Sequence, residues 1–211
     1  VNLQAIQHAL ALPRPGRVAQ VRMSPQPRLG DVFPLPPEIH PKEAGVLILL
    51  FPVENELRFF LTRRTDKVET HKGQISLPGG AQETGESLQE TAVREICEEL
   101  NLDASSMQVL GELSSIYIPI SGFRVTPFVG FTPMRPECKP EPGEVDEVIE
   151  TSLSTILDEK NLVEEEWEIR GNKMHVPFFQ INGHKVWGAT AMMLGEFVEM
   201  LKNTQTFSEV R

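Results

Sequence analysis

Glu95, Glu98 and Glu99 stand three and four positions apart in LQETAVREICEEL, residues 88–100. Like charges at that spacing on one helix repel by about 0.2–0.5 kcal/mol per pair, so their grouping calls for something positive among them. Carboxylates are hard oxygen ligands, and a set of them suits Mg2+ or Mn2+ held beside phosphate oxygens. A solvated acidic face is the plainer alternative. The neighbouring Pro78-Gly79-Gly80 favours a site, because missing side chains let backbone carbonyls or N–H groups approach a ligand closely.

The helix that must carry these groups has legible ends. Ser87 followed by Glu90 fits a capping box, and Asn101 occupies the position where helices stop on a left-handed residue. At about 100° per residue, Ala92, Val93, Ile96, Cys97 and Leu100 share one arc and the three glutamates a neighbouring one. One face packs and the next presents carboxylates.

The rest of the chain sets limits. With 211 residues, 40% hydrophobic and 24% charged, it has the composition of one globular domain with extensions. A formal charge of -10 argues against a nucleic-acid or anionic-membrane partner, so attraction for an anionic substrate must be local or come from metal. Two cysteines, Cys97 and Cys138, provide neither a disulfide framework nor a zinc site and fit a reducing compartment. The strongest apolar run, residues 44–53, is far below the ~20 residues that span a bilayer. No secretion signal is read at residues 1–16, and the cytoplasm is the expected location. A homodimer is allowed but not demanded.

Prolines between 13 and 41 set off residues 1–43 as a wrapping arm or a linker, with a short helix over 3–11; residues 44–203 form the domain and 204–211 a polar tail. Strands are expected at 45–53, 57–62, 74–77, 107–113, 125–131, 145–150 and 173–181, the last followed by a hairpin turn at Asn182-Gly183, with helices at 87–100 and 153–157 and a final helix at 190–203. Hairpins interleaved with helices predict an α/β fold with a mixed sheet covered on both faces.

Gly80, five residues, Glu86, seven residues, then Arg94-Glu95-Ile96-Cys97-Glu98-Glu99-Leu100-Asn101-Leu102 resembles the Nudix box, with Asn101 where that family has Gly. The resemblance implies an α/β/α sandwich and hydrolysis of a nucleoside diphosphate linked to another moiety. Carried over by position, it implies Glu95 and Glu99 as foremost metal ligands, Glu98 as a further ligand, the Gly80 carbonyl as another, and a Glu86–Arg94 pair holding loop to helix. Glu98 and Glu144, in the loop Pro142-Gly143-Glu144, are the alternatives for the catalytic base.

Upstream, Arg63, Arg64, Lys67, His71 and Lys72 form a basic stretch in an acidic chain. An ordinary solvated hairpin end is the alternative. Leu61-Thr62, Arg64, Gly73 and Leu77-Pro78-Gly79-Gly80 resemble the extra motif of the coenzyme A pyrophosphatase branch, as do residues 125–130 and 186–191; Phe60, Thr65, Glu69 and Leu77 depart from it. This implies coenzyme A or acyl-CoA as substrate, giving 3′,5′-ADP and (acyl-)4′-phosphopantetheine, with Arg63, Arg64, His71, Lys72 and Gly79 on the substrate and Arg64 or Lys72 on the 3′-phosphate. The alternatives are a Nudix pyrophosphatase acting on ADP-ribose, NADH or dinucleoside polyphosphates, and a non-catalytic binding module of the same fold. Trp187 and Phe128 are expected in the core.

Overall fold

The computed structural model describes residues 1–27, 39–65 and 73–209. In chain order the helices are α1 (Leu3–Ala11), α2 (Arg17–Gln20), α3 (Leu88–Leu100), α4 (Leu153–Leu157) and α5 (Gly188–Glu209). The strands are β1 (Lys42–Val53), β2 (Glu56–Arg64), β3 (Ile75–Ser76), β4 (Gly79–Ala81), β5 (Gln108–Glu112), β6 (Ile116–Ile118), β7 (Phe123–Phe131), β8 (Val145–Ser152), β9 (Leu162–Ile169), β10 (Asn172–Ile181) and β11 (His184–Val186).

An unbroken apolar run makes β1 a central strand buried on both faces. Leu47, Leu49 and Phe51 cluster with Ala92, Ile96 and Leu100 of α3, whereas Ile48 and Leu50 cluster with Leu194, Phe197 and Leu201 of α5. Each such fully buried side chain contributes about 1.5–3 kcal/mol. β1 runs parallel to β7 and antiparallel to β2 and β4, while β8 and β3 flank β2, and β5 and β6 flank β7. The molecule is therefore the expected α/β/α sandwich around a mixed sheet.

A second sheet, β11-β10-β9, stands beside it. Its β10–β11 turn at Asn182-Gly183 has φ of 49° and 86°, as the Asn-Gly pair predicts. The β9 strand was not anticipated, because the run of glutamates hides an alternation in which Glu164, Glu166 and Glu168 are exposed. Its turn to β10, Arg170-Gly171, is also left-handed, with φ of 52° and 76°.

Residues 3–11 are helical as expected, and Ile6 and Ala9 are buried where α1 packs on α5. The first part of the proline-rich arm is thus docked rather than extended as a linker. At the other end α5 continues to Glu209, past the expected stop at 203, since neither Gly nor Pro occurs between 203 and 209 to end it.

Candidate active site

The site is built on the second half of α3 and the β4 loop beside it. Ser87 caps the helix: its Oγ accepts from the Glu90 N–H at 3.3 Å, while the Glu90 carboxylate accepts from the Ser87 N–H at 2.7 Å. Asn101 closes the helix with φ 53° and ψ 52°, the left-handed conformation that the family glycine would take. Three glycines let strand, loop and helix meet. A Cβ on Gly45 would lie 2.4 Å from the Leu88 carbonyl oxygen, one on Gly79 would lie 2.3 Å from the Gly45 oxygen, and one on Gly80 would lie 2.3 Å from the Glu95 carboxyl carbon. Only glycine at 80 lets the Glu95 carboxylate rest against the loop backbone.

Arg94 is the positive group among the glutamates. Its guanidinium donates to Glu86 at 2.9 and 3.1 Å, to Glu95 at 3.0 Å, to Glu98 at 2.9 Å and to the Ala81 carbonyl at 3.1 Å. One side chain therefore joins the β4 loop, the 83–86 turn and two helix carboxylates. Glu86 also accepts from the Glu83 N–H and the Thr91 hydroxyl, and with Arg94 foremost these bonds hold its carboxyl down to about 2. The same contacts push the Arg94 guanidinium further toward its charged form.

Glu99 is of another kind. It is only 4% exposed, and burial pushes its carboxyl up to about 8; Arg64 opposes the shift, whereas Glu95 and Glu144 reinforce it, and a bond from the Gly79 backbone partly offsets it. Its Oε2 has no hydrogen-bond partner among the described residues. Half-buried Glu95 is also raised, first by desolvation, against Arg94, with Glu98 and Glu144 adding to the rise. Arg64 and Glu144, distant in sequence, are thus both felt at this one cluster.

A buried, unpartnered carboxylate oxygen beside two further carboxylates is the environment a divalent cation satisfies. Among the described residues no three acidic, His or Cys side chains are already gathered to ligate, since Arg94 engages Glu95 and Glu98. The donor set nonetheless fits a hard cation: Glu95, Glu98 and Glu99 would hold it with the Gly80 carbonyl, once the first two turn from the guanidinium.

Glu144 is exposed and is presented by a braced turn. Thr65 donates from its N–H to the Glu144 carbonyl at 3.1 Å and from its hydroxyl to the Gly143 carbonyl at 3.3 Å. The preceding loop caps α3: the Lys139 N–H bonds the Leu100 carbonyl at 2.8 Å and the Glu141 N–H the Glu99 carbonyl at 2.9 Å. Thr65, a departure from the resembled motif, thus has a role that sequence reasoning missed.

Gly79 and Gly80 open onto a cleft of about 420 Å³, with Arg64 on its wall. Arg63, the next residue along β2, points elsewhere and pairs with Asp146 and with Glu147 at 3.1 Å, so it is not brought to the cleft. His71 and Lys72, with Lys67 and Glu69, lie outside the described residues. The other walls are apolar: Ile118, Ile120 and Phe123 on one side, Trp187 and Met193 on another. Phe128 is in the core as expected, but Trp187 lines the cleft, standing edge-on to Trp167 at 5.3 Å. Ile120, 70% exposed between Pro119 and Gly122, was the available signal, since a large apolar residue at a turn tip invites a ligand.

An α/β/α sandwich with a capped, carboxylate-bearing helix against a double-glycine loop defines a distinct class of fold. A model of the NUDIX domain matches residues 41–170, and the chain belongs to the Nudix family, whose members generally use divalent cations. Nudix hydrolase 15, mitochondrial, from Arabidopsis thaliana is 37% identical over 169 residues, 75% of this chain and 58% of that protein, so the chain spans little more than half its length. The human mitochondrial coenzyme A diphosphatase NUDT8 is 31% identical over 165 residues, covering 76% of this chain and 70% of the relative. A MutT/nudix family protein from Enterococcus faecalis superposes with a TM-score of 0.51 at 15% identity, over 82% of this chain and 65% of that one. These relatives correct the expectation of a cytoplasmic location, because the plant and human proteins are both named mitochondrial. Unpaired cysteines report redox conditions and not an address. No helix among the described residues is long and apolar enough to cross a membrane.

Proposed function

We propose that this chain hydrolyses the diphosphate bond of coenzyme A or acyl-CoA with Mg2+ or Mn2+, releasing 3′,5′-ADP and (acyl-)4′-phosphopantetheine. The observation that carries the hydrolase reading is the buried Glu99 oxygen without a protein partner, next to Glu95 and Glu144 and facing the charge of Arg64. The bound cation supplies charge neutralisation at the phosphate oxygens and a more acidic water. The chain does the rest. Arg64 draws the diphosphate to the Gly79-Gly80 edge of the cleft, and the Arg94–Glu86 pair fixes that edge to α3. Glu144 takes the proton of the attacking water: it is exposed to solvent and close enough to perturb Glu95 and Glu99, whereas Glu98 would be taken up as a ligand of the cation.

Coenzyme A is favoured by the motif-like stretch ending at Gly80, by the apolar cleft that opens from it, and by the name of the human relative. Hydrolysis of coenzyme A, an acyl-CoA, ADP-ribose, NADH and a dinucleoside polyphosphate, each with Mg2+ or Mn2+ and with products identified, tests the reading. The coenzyme A pair should be fastest and give 3′,5′-ADP. Faster turnover of ADP-ribose would overturn the substrate, and no metal-dependent turnover of any would overturn the reaction.

A further inference from the structure

Glu196 is a fully buried carboxylate that the proposed chemistry does not use. It lies on α5 one turn beyond Met193, which lines the cleft. Its oxygens accept from the Gly16 N–H at 3.1 Å, from the Gln20 side-chain amide at 2.8 Å and from the Ser114 N–H at 3.2 and 3.3 Å. Gln20 also donates to the Ser114 carbonyl at 2.9 Å, and Arg14 to the Leu113 carbonyl at 3.0 Å. Both backbone groups of Ser114 are therefore held by side chains of α5 and of the N-terminal arm.

Ser114 begins the segment that becomes the apolar wall. Two residues later the chain enters β6, a three-residue strand that pairs with β7 alone among the described residues, and it then turns through Ile118, Ile120 and Phe123 at the cleft. The opposite wall is the start of α5, where Ala189, Thr190 and Met193 line the same space. So short a strand cannot by itself fix its distance from α5. Glu196 joins the two walls, and the arm supplies donors to it. Gly16 shows that the arm is shaped for this contact: φ 59° with ψ −139° is open only to glycine, and a Cβ there would reach the Ser114 Oγ at 3.4 Å.

We propose that Glu196 is a positioning residue: with Gly16 and Gln20 it holds the 114–123 wall at a fixed distance from α5, so the N-terminal arm sets the width of the substrate cleft. The inference rests on the proposed hydrolase reading only for its kinetic consequence. Glutamine cannot replace Glu196 neutrally, since its amide NH2 would face donors that now meet a carboxylate oxygen.

The test combines Glu196→Gln, Gln20→Ala and, as a control at the same arm–α5 junction, Arg22→Ala, which breaks an exposed pair with Glu199 and leaves the bonds to Glu196 and Ser114 in place. Hydrogen exchange across residues 113–123 should accelerate at least ~10-fold in the first two and stay unchanged in the control. The best diphosphate substrate should show KM raised roughly 10-fold with kcat within about 3-fold, because the α3 carboxylates are untouched. Unchanged exchange in a folded Gln20→Ala protein overturns the proposal, even where Glu196→Gln does not fold. Accelerated exchange with a fall in kcat at constant KM also overturns it. Were the protein to hydrolyse no diphosphate, the hydrolase reading would fail while the exchange measurement still decided the wall.

Discussion

Glu99 keeps a carboxyl 4% exposed and raised to about 8, and its protonation is therefore linked to folding. Below about pH 4.5 the group is neutral in both states and its burial is tolerated. Between about 4.5 and 8 the unfolded chain loses this proton and the folded one keeps it, so stability falls as pH rises, by an amount on the order of a few kcal/mol in full. In chelator the thermal midpoint should drop from pH 5 to pH 8.5, and Glu99→Gln should flatten the drop. A variant as steep as the parent would show that Glu99 is not the group responsible. Turnover should respond in the opposite sense: Glu95→Gln or Glu99→Gln should lower kcat at least ~10²-fold with the fold intact, because each would remove a charged oxygen ligand of the proposed cation. Near-normal rates in both would sink the metal assignment. Arg64 also changes in meaning at close range. The sequence offered Arg64 or Lys72 for the 3′-phosphate; the charge of Arg64 acts on Glu99, and the proposed reaction would put it at the scissile diphosphate. Arg64→Ala should reduce kcat/KM by about 10- to 150-fold for coenzyme A and its 3′-dephospho form alike. A loss confined to coenzyme A would restore the remote assignment.

Local chemistry set α3 well enough to be seen in advance. Ser87, Glu90 and Asn101 each perform the capping act that their types and spacing announce. Asn101→Ala should cost about 1 kcal/mol in chemical denaturation, since alanine resists the left-handed conformation, whereas Asn101→Gly should be close to neutral. Equal losses in both would mean that the Asn side chain, and not the backbone, matters. Arg94 was equally legible and was underused: Glu98 lies four residues on and Glu95 adjacent, so part of the positive charge sought among the glutamates was already written between them. Other pieces depended on tertiary geometry. Arg63 and Arg64 are neighbours of like charge, and only the alternation of β2 decides that one reaches the cleft while the other meets Asp146 and Glu147. The bracing of Glu144 by Thr65 joins positions with no periodic relation, and no local signal could have paired them.

Across the molecule, the sandwich followed from apolar periodicity and hairpin signals, while for the proline-rich segment the sequence left a wrapping arm and a linker as alternatives. Its prolines marked breaks correctly, yet the partners that hold the arm are Glu196 and Ser114, far along the chain. The second sheet escaped for a different reason, since a strand with four glutamates in eight residues, Leu162 to Ile169, reads as a solvated loop. That strand has a consequence for assembly. Among the described residues β9 ends its sheet, leaving a row of backbone donors and acceptors of the sort that recruits another chain. Two copies meeting edge to edge there would bring Glu164, Glu166 and Glu168 of one against the same residues of the other, and the Lys173 and His175 partners on β10 already serve Glu166 and Glu164. The edge is self-repelling, so any dimer this protein forms should use another surface. Sedimentation of Glu164→Lys and Glu168→Lys variants, compared with the parent at low and high salt, should show new concentration-dependent association only where the repulsion has been removed.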